Sequence, residues 1–213
     1  MELHNKLKKH LEEQKKEWKS FIYASGEFYQ GYDKVGVKGR RSTEQRFKSY
    51  GIEHFLTKDK RVLDIGCNCG FTTLYAGERV RHADGVEINP FLIKIGEDTR
   101  DFLGLNNVTF FASSFENFVA TGQYDIVFSF ANDETIDGNT KFTFKEYILK
   151  IKHLLKKDGL LIFESQAFDT DEKLFAPKLA FLKEQFGVLE SKRVDSDYPT
   201  KVKDRIFLVL KTK

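Results

Sequence analysis

The stretch that most constrains this chain is Val62-Leu63-Asp64-Ile65-Gly66-Cys67-Asn68-Cys69-Gly70, running into Phe71-Thr72-Thr73-Leu74. It begins as a short run of branched apolar residues, the pattern of a parallel strand buried on both faces. Two glycines four positions apart then turn the chain into a helix-compatible pattern. A turn without Cβ atoms lets a ligand approach the backbone closely. At the carboxyl end of a first strand, such a turn faces the crevice where open α/β sheets bind their ligands.

The remainder alternates in the same sense. Strands are expected at 61–65, His82–Ile88, Val108–Ala112, Tyr124–Phe130 and Leu160–Glu164. Between them fall helices over about 71–79, from Asn89 or Pro90 through Leu103, briefly from Ser114, and along the stripe Phe144, Tyr147, Ile148, Ile151, Leu154 and Leu155, closed by Asp158-Gly159. Strand–helix alternation of this kind specifies a parallel sheet covered on both faces. Asp171–Phe186 reads as a helix that Pro177 breaks or kinks. Val188–Val194 and Arg205–Leu210, joined by Asp197-Tyr198-Pro199-Thr200, read as a closing antiparallel pair.

The first fifty residues differ in character. Residues 1–22 form an amphipathic helix, with Leu3, Leu7, Leu11, Trp18 and Ile22 on one broad face, packed onto the domain. Phe28 to Arg46 mixes Tyr29 and Tyr32 with glycines at 31, 36 and 39 and a basic run of Lys34, Lys38, Arg40, Arg41 and Arg46. Its glycines suggest a gate over 26–46 that closes on a bound ligand. The expected division is therefore an N-terminal helix and cap at 1–50 and one α/β domain at 51–213.

Composition narrows the partners. Of 213 residues, 40% are hydrophobic and 31% charged, as in ordinary globular proteins, and the net charge of +3 is too small to argue for nucleic acid. No apolar run approaches the roughly 20 residues that span a bilayer, and the N-terminus lacks a signal-peptide core, so a cytoplasmic location is expected. Cys67 and Cys69, one residue apart and without a histidine cluster, suit neither a disulfide nor zinc; they read as small residues lining a ligand pocket, and no metal is expected.

The nucleotide fingerprint G-x-G-x-x-G would need glycines at 68 and 71, where this chain has Asn68 and Phe71. Asp64, just before the turn, would repel a pyrophosphate and suits a cationic ligand. VLDIGCNCG resembles the first motif of the class I S-adenosylmethionine (SAM)-dependent methyltransferases, whose loop wraps the amino-acid end of SAM. The resemblance implies a Rossmann-like seven-stranded, mostly parallel sheet of order 3-2-1-4-5-7-6 with helices on both faces. It implies SAM contacts from Asp64, Gly66, Cys67, Asn68 and Gly70. Glu87, 21 residues after Gly66, is the acid that accepts the ribose hydroxyls, with Ile88 beside the adenine. Ser114, where the family usually has an aspartate, and Phe115 would meet the base, and Ser129 ends strand four at the donor.

At the acceptor end the same resemblance is less specific. The family's amino-methylating enzymes often carry a proline pair after strand four; this chain has Asn132-Asp133-Glu134, which makes Asp133 and Glu134 candidates for general base or for positioning substrate. A leading segment like Phe28-Tyr29-Gln30 followed by Gly39-Arg40-Arg41-Ser42-Thr43-Glu44-Gln45-Arg46 is similar to that of small bacterial SAM methyltransferases, some near surface-polysaccharide genes. Those often have histidines at positions 133 and 134. VFSF and LLIFESQ share a distant look with the tRNA wobble-uridine carboxymethyltransferases. The expected activity is methyl transfer from SAM to a small-molecule or sugar acceptor at oxygen, the acceptor being acidic or phosphorylated. Tyr29, Tyr32, Arg41, Arg46 and Glu164 are its candidate binding residues, with Gln166 assisting. The alternatives are an RNA methyltransferase, with nucleic acid the less favoured partner, and a SAM-binding module without turnover.

Overall fold

A computed structural model describes residues 2–166, 171–195 and 204–213. The N-terminal part comprises α1 (Glu2–Glu17), the two-residue parallel strands β1 (Gln30–Gly31) and β2 (Arg41–Ser42), and α2 (Thr43–Tyr50). The main sheet follows with β3 (Arg61–Ile65), α3 (Phe71–Gly77), β4 (His82–Glu87), α4 (Pro90–Leu103), β5 (Val108–Ala112), β6 (Tyr124–Phe130) and α5 (Phe144–Leu154). It ends with β7 (Leu155–Glu164), α6 (Glu172–Gln185), β8 (Phe186–Asp195) and β9 (Asp204–Thr212).

The seven strands of this sheet lie in the order β5-β4-β3-β6-β7-β9-β8. Counted within the sheet, that is 3-2-1-4-5-7-6, as expected. β9 runs antiparallel between β7 and β8, and the other pairings are parallel. The chain order reverses between β3 and its neighbours β4 and β6, and a crevice opens at that switch point. One face of the sheet packs Phe47, Phe71, Leu74, Leu92 and Ile95; the other packs Tyr147, Ile148, Ile151, Phe175 and Leu182. β3 sits between these layers, which explains why Val62 through Ile65 are all buried.

Local chemistry sets the helix ends. The Asn89 side chain accepts from Phe91 N–H with Pro90 in the first turn, and Gly104 closes α4 in the left-handed region. Thr143 and Glu146 form a reciprocal capping box on α5.

Four expectations change. The first helix stops at Glu17, and residues 23–26 form a tight 3₁₀ turn with Ala24, Ser25 and Gly26 at positive φ. α5 ends at Leu154 because Leu155 already pairs with Tyr124 in the sheet; Asp158, at φ 62°, bends the early part of β7 instead. α6 runs through Pro177 without a break, since the ring removes one backbone donor from a largely exposed helix. The short helix expected from Ser114 is a turn, and the expected turn at 197–200 lies outside the described residues. Among the described residues, no helix is long and apolar enough to cross a membrane.

Candidate active site

A cavity of about 270 Å³ lies at the carboxyl ends of β3, β4 and β6. Its floor is the glycine turn. Gly66 (φ 62°) and Gly70 (φ 75°) occupy the left-handed region, and so does Asn68 (φ 54°) between them. A Cβ at Gly66 would run into the Asn132 amide, and one at Gly70 into the Phe110 ring. The Gln30 side chain fixes this turn from outside, donating to Cys67 C=O at 3.1 Å and accepting from Phe71 N–H at 3.1 Å. Glutamine suits the task because one amide carries both a donor and an acceptor.

Two acids face one end of the cavity. Asp64 Oδ2 accepts from the hydroxyls of Thr72 at 2.6 Å and Thr73 at 2.7 Å. Burial lifts its pKa to about 6 against those two hydrogen bonds. Glu87 accepts from Asn68 N–H on Oε2 and from Asn89 N–H on Oε1, both at 3.0 Å. Burial raises it to about 7, opposed by its backbone hydrogen bonds and assisted by the nearby Asp137 charge. Asn68 Oδ1, also buried, has no hydrogen-bond partner among the described residues. This end therefore holds two acids that burial discourages from ionising, together with an unmet acceptor. A ligand bringing a positive charge and a pair of hydroxyl donors would satisfy it.

The opposite end is basic. Arg46 and Arg205 border the cavity beside Phe130, Asn132 and Gln166. Behind them lies Glu164, fully buried, which takes Arg41 in a two-armed contact (2.7 and 3.3 Å) and Arg46 Nη2 at 3.1 Å. Burial would raise the Glu164 pKa, but Arg41, Arg46 and Arg205 outweigh it and hold the carboxyl at about 2. Arg46 also donates Nε to Tyr50 Oη at 3.0 Å and lies over the Phe130 ring. Ala131, at φ 61°, turns the chain out of β6, its N–H bonded to Glu164 C=O and its C=O to the Gln166 amide. Asn132 Nδ2 bonds Ile65 C=O and joins the ends of β3 and β6.

A strap crosses the mouth. Phe21 and Tyr23 contribute to the wall from the N-terminal side, and Ile136 and Asp137 from the loop after β6. Ser20 Oγ donates to Asp137 C=O at 2.7 Å and closes the two sides together.

Of the residues the sequence singled out, Asp64, Gly66, Asn68, Glu87, Tyr29, Arg46 and Gln166 line the cavity. Others fall elsewhere, each for a physical reason. Cys67 and Cys69 are buried in the core, and burial pushes both thiols up; Gly70 serves as the helix cap of α3. Ile88 lies near Gly138, outside the wall. Phe115 packs edge-on to Tyr147 and its N–H is taken by Asn139 C=O; Ser114 C=O accepts from Asn117 and Phe118. Ser129 is bonded to Tyr147 Oη under the sheet. Tyr32 is buried with its hydroxyl on Glu78, and Arg41 is spent on Glu164. Asp133 points away toward α6, where Lys178 Nζ meets it at 2.8 Å and also reaches Glu134 at 3.2 Å. The position after β6 that faces the cavity is Asn132.

Phe21, Tyr23, Asn132, Asp137 and Arg205 were missed. Their neighbours in the wall are distant in sequence, so no local motif marks them. Only Gln30, inside the Phe28-Tyr29-Gln30 run, carried a signal.

A family model of methyltransferase domains matches residues 56–198. The chain belongs to the methyltransferase-domain family. The chain is 28% identical over 122 residues to a Methanocaldococcus jannaschii protein assigned to N5-glutamine methylation of protein, a match covering 49% of this chain and 60% of that one. It is 41% identical over 61 residues to a Klebsiella pneumoniae 23S rRNA uracil-C5 methyltransferase, covering 29% of this chain and 14% of that one. The chain thus spans less than two thirds of either relative. In fold it is similar to the N-methyltransferase NodS of Bradyrhizobium japonicum WM9, solved with S-adenosylhomocysteine (TM-score 0.63, 13% identity, 79% of this chain and 86% of that one). It is also similar to a precorrin-6y C5,15-methyltransferase of Geobacter metallireducens (TM-score 0.59, 18% identity, 80% and 88%).

Proposed function

We propose that this SAM-dependent methyltransferase acts on a small molecule, such as a sugar, and methylates it at oxygen. SAM is the cofactor, and the acidic end of the cavity fits it. Glu87 has acceptor capacity for a ribose diol, while Asp64 and Asn68 Oδ1 suit the ammonium of its amino-acid end. When bound, SAM supplies a methyl group activated on a sulfonium. The chain's own residues then orient the acceptor against Phe130, Asn132, Gln166 and the arginines, and exclude water. Residues 1–50 serve as the cap and 51–213 as the catalytic domain.

The observation that supports a small acceptor is the Ser20–Asp137 strap, with Phe21 and Tyr23 of the same segment lining the cavity. A nucleotide within a long polymer would have to thread under this strap, whereas a free metabolite needs only a brief opening. Among the described residues, the cavity-facing acids belong to the donor end, and Asp133 is ion-paired to Lys178. Alignment and the basic wall therefore take the place of a dedicated carboxylate base in this reading: the oxygen–methyl bond forms as the sulfur–methyl bond breaks, and the hydroxyl proton passes to solvent.

A screen with SAM carrying a radiolabelled methyl group tests it, offering pooled sugars, other hydroxylated metabolites and total RNA. Label should appear in a low-mass product made at a rate weakly dependent on salt. Label in RNA, with affinity falling steeply as salt rises, would replace this reading by a nucleic-acid one. SAM binding without any S-adenosylhomocysteine formed would reduce the protein to a binding module.

A further inference from the structure

We propose that Arg205 anchors an anion-binding subsite at the acceptor end of the cavity, and that the methyl acceptor carries a carboxylate or phosphate there. The proposal rests on the methyltransferase reading of the cavity and adds the acceptor's chemical class to it.

Arg205 opens β9 opposite Val194, on the wall shared with Gln166 and Asn132, and only 4% of it is exposed. Its donors are underused. Among the described residues, Nη1 reaches Ser165 C=O at a long 3.4 Å, and Nε approaches Glu164 Oε1 no closer than 3.8 Å and has no hydrogen-bond partner. Glu164 is already shared: Arg41 takes both its oxygens and Arg46 takes Oε2 again. Among the described residues, three buried guanidiniums thus share one carboxylate, +3 against −1, leaving an excess of +2. The next acid toward the cavity, Asp64, lies on the Arg46 side and is bonded to Thr72 and Thr73.

A buried guanidinium with five donors and no matched anion is strongly disfavoured unless something else meets it. Its planar fork fits a carboxylate or phosphate better than any neutral group. The strand also holds the fork in place: Ser165 N–H bonds Ile206 C=O, and Ile206 N–H bonds Ser165 Oγ. SAM itself carries a carboxylate, so two molecules could bring the same chemistry. Both arginines belong to the basic end; we assign the carboxylate of SAM to Arg46, which lies within electrostatic reach of Asp64, and leave Arg205, on the wall with Asn132 and Gln166, to the acceptor.

The test uses protein saturated with S-adenosylhomocysteine, titrated with inorganic phosphate or acetate against chloride at matched ionic strength. Thermal unfolding should shift upward and saturate with phosphate or acetate but not with chloride. In Arg205→Met the half-saturating concentration should rise by about tenfold or more, and Arg205→Lys should recover only part of the loss. Affinity for S-adenosylhomocysteine should stay within about threefold in both variants. A tenfold loss of that affinity would assign Arg205 to the donor's carboxylate and overturn the proposal, as would an equal phosphate response in Arg205→Met and wild type. Should the variants not fold, the wild-type Arg205 Nε–H resonance decides. It should move on phosphate addition and not with chloride, and an unmoved signal overturns the subsite. Wild-type protein that binds no S-adenosylhomocysteine would instead remove the methyltransferase reading before the anion is tested.

Discussion

The two ends of the cavity handle buried charge in opposite ways. At the donor end, Asp64 and Glu87 are met by neutral donors only, threonine hydroxyls and backbone N–H groups, and burial leaves them near pKa 6 and 7. At the acceptor end, Glu164 is just as buried but surrounded by guanidiniums, and its carboxyl is held at about 2. The donor end therefore responds to pH and to a cationic or hydroxyl-bearing ligand. The acceptor end keeps a fixed positive surplus. Hydrogen bonds from neutral groups tune a carboxylate, whereas guanidiniums lock it.

The largest expected effect comes from unlocking Glu164. Glu164→Gln strands Arg41 and Arg46 in the interior, and breaking a buried pair by removing one partner costs about 3–5 kcal/mol. Urea unfolding measures it, and a loss below about 1 kcal/mol would mean that the cluster is not held by charge. The pH dependence has a definite sign. The folded pKa is depressed, so the stabilisation is present above the ordinary glutamate range near 4.5 and is lost as pH falls through about 2. Wild type should weaken over that acid window, and Glu164→Gln should lack this component.

Second in size is the ribose acid. Glu87→Ala should weaken S-adenosylhomocysteine binding by about 1.5–3 kcal/mol, roughly ten- to a hundredfold, with an unchanged dissociation constant sinking the assignment. Here the pKa shift has the other sign. Glu87 is raised, so in the free protein its neutral form contributes stability at acid pH that is lost as pH rises through about 7. Hydroxyl donors favour the ionised form, so calorimetry should show affinity climbing from pH 6 to 8, and Glu87→Gln should flatten that rise.

The same contrast explains what the sequence could reveal. The donor end is made from two short continuous stretches, 62–74 and 85–89, so a local pattern carries the strand, the turn and both acids. The strands were legible for the same reason, since each is a compact apolar run, whereas their order in the sheet followed from the resemblance to the class I methyltransferases. The acceptor end takes Arg46, Asn132, Gln166 and Arg205 from four separate parts of the chain, and only the fold brings them together. Asp133 falls outside the cavity wall because alternation out of β6 does not continue past Ala131, whose positive φ turns Asn132 inward and leaves Asp133 to Lys178. Arg41 and Glu164 were noticed separately, and nothing in either stretch announces that they bind one another.

A smaller effect is expected at Asp133. If it were the general base, Asp133→Asn would lower kcat by about 10²–10⁴. Its ion pair with Lys178 lies outside the cavity wall, so the variant should keep kcat within about tenfold, measured with the acceptor that the screen supplies. A hundredfold loss with SAM affinity intact would restore the carboxylate base and place chemistry at the acceptor end beyond positioning.

The smallest signal separates the parts of the N-terminal cap. Glycines at 26, 31, 36 and 39 suggested a gate across 26–46, but the middle of that segment is built into the fold. Gln30 clamps the glycine turn, β1 pairs with β2, Tyr32 bonds Glu78, and Arg41 and Arg46 hold Glu164. Opening it would break buried charge pairs. Residues 18–26 are held more lightly, by the Ser20–Asp137 hydrogen bond and the ring contacts of Tyr23 with Phe21 and Tyr29, beside a turn in which Ala24 and Ser25 sit at positive φ. Local opening is easiest where few buried contacts are lost. Amide exchange at 18–26 should therefore be fast in the free protein and slow on adding S-adenosylhomocysteine, while exchange at 30–46 stays slow in both states. Ser20→Ala should speed the first and leave the second alone. Protection gained across 30–46 and not at 18–26 would move the gate back to the glycine segment and detach the strap from ligand entry.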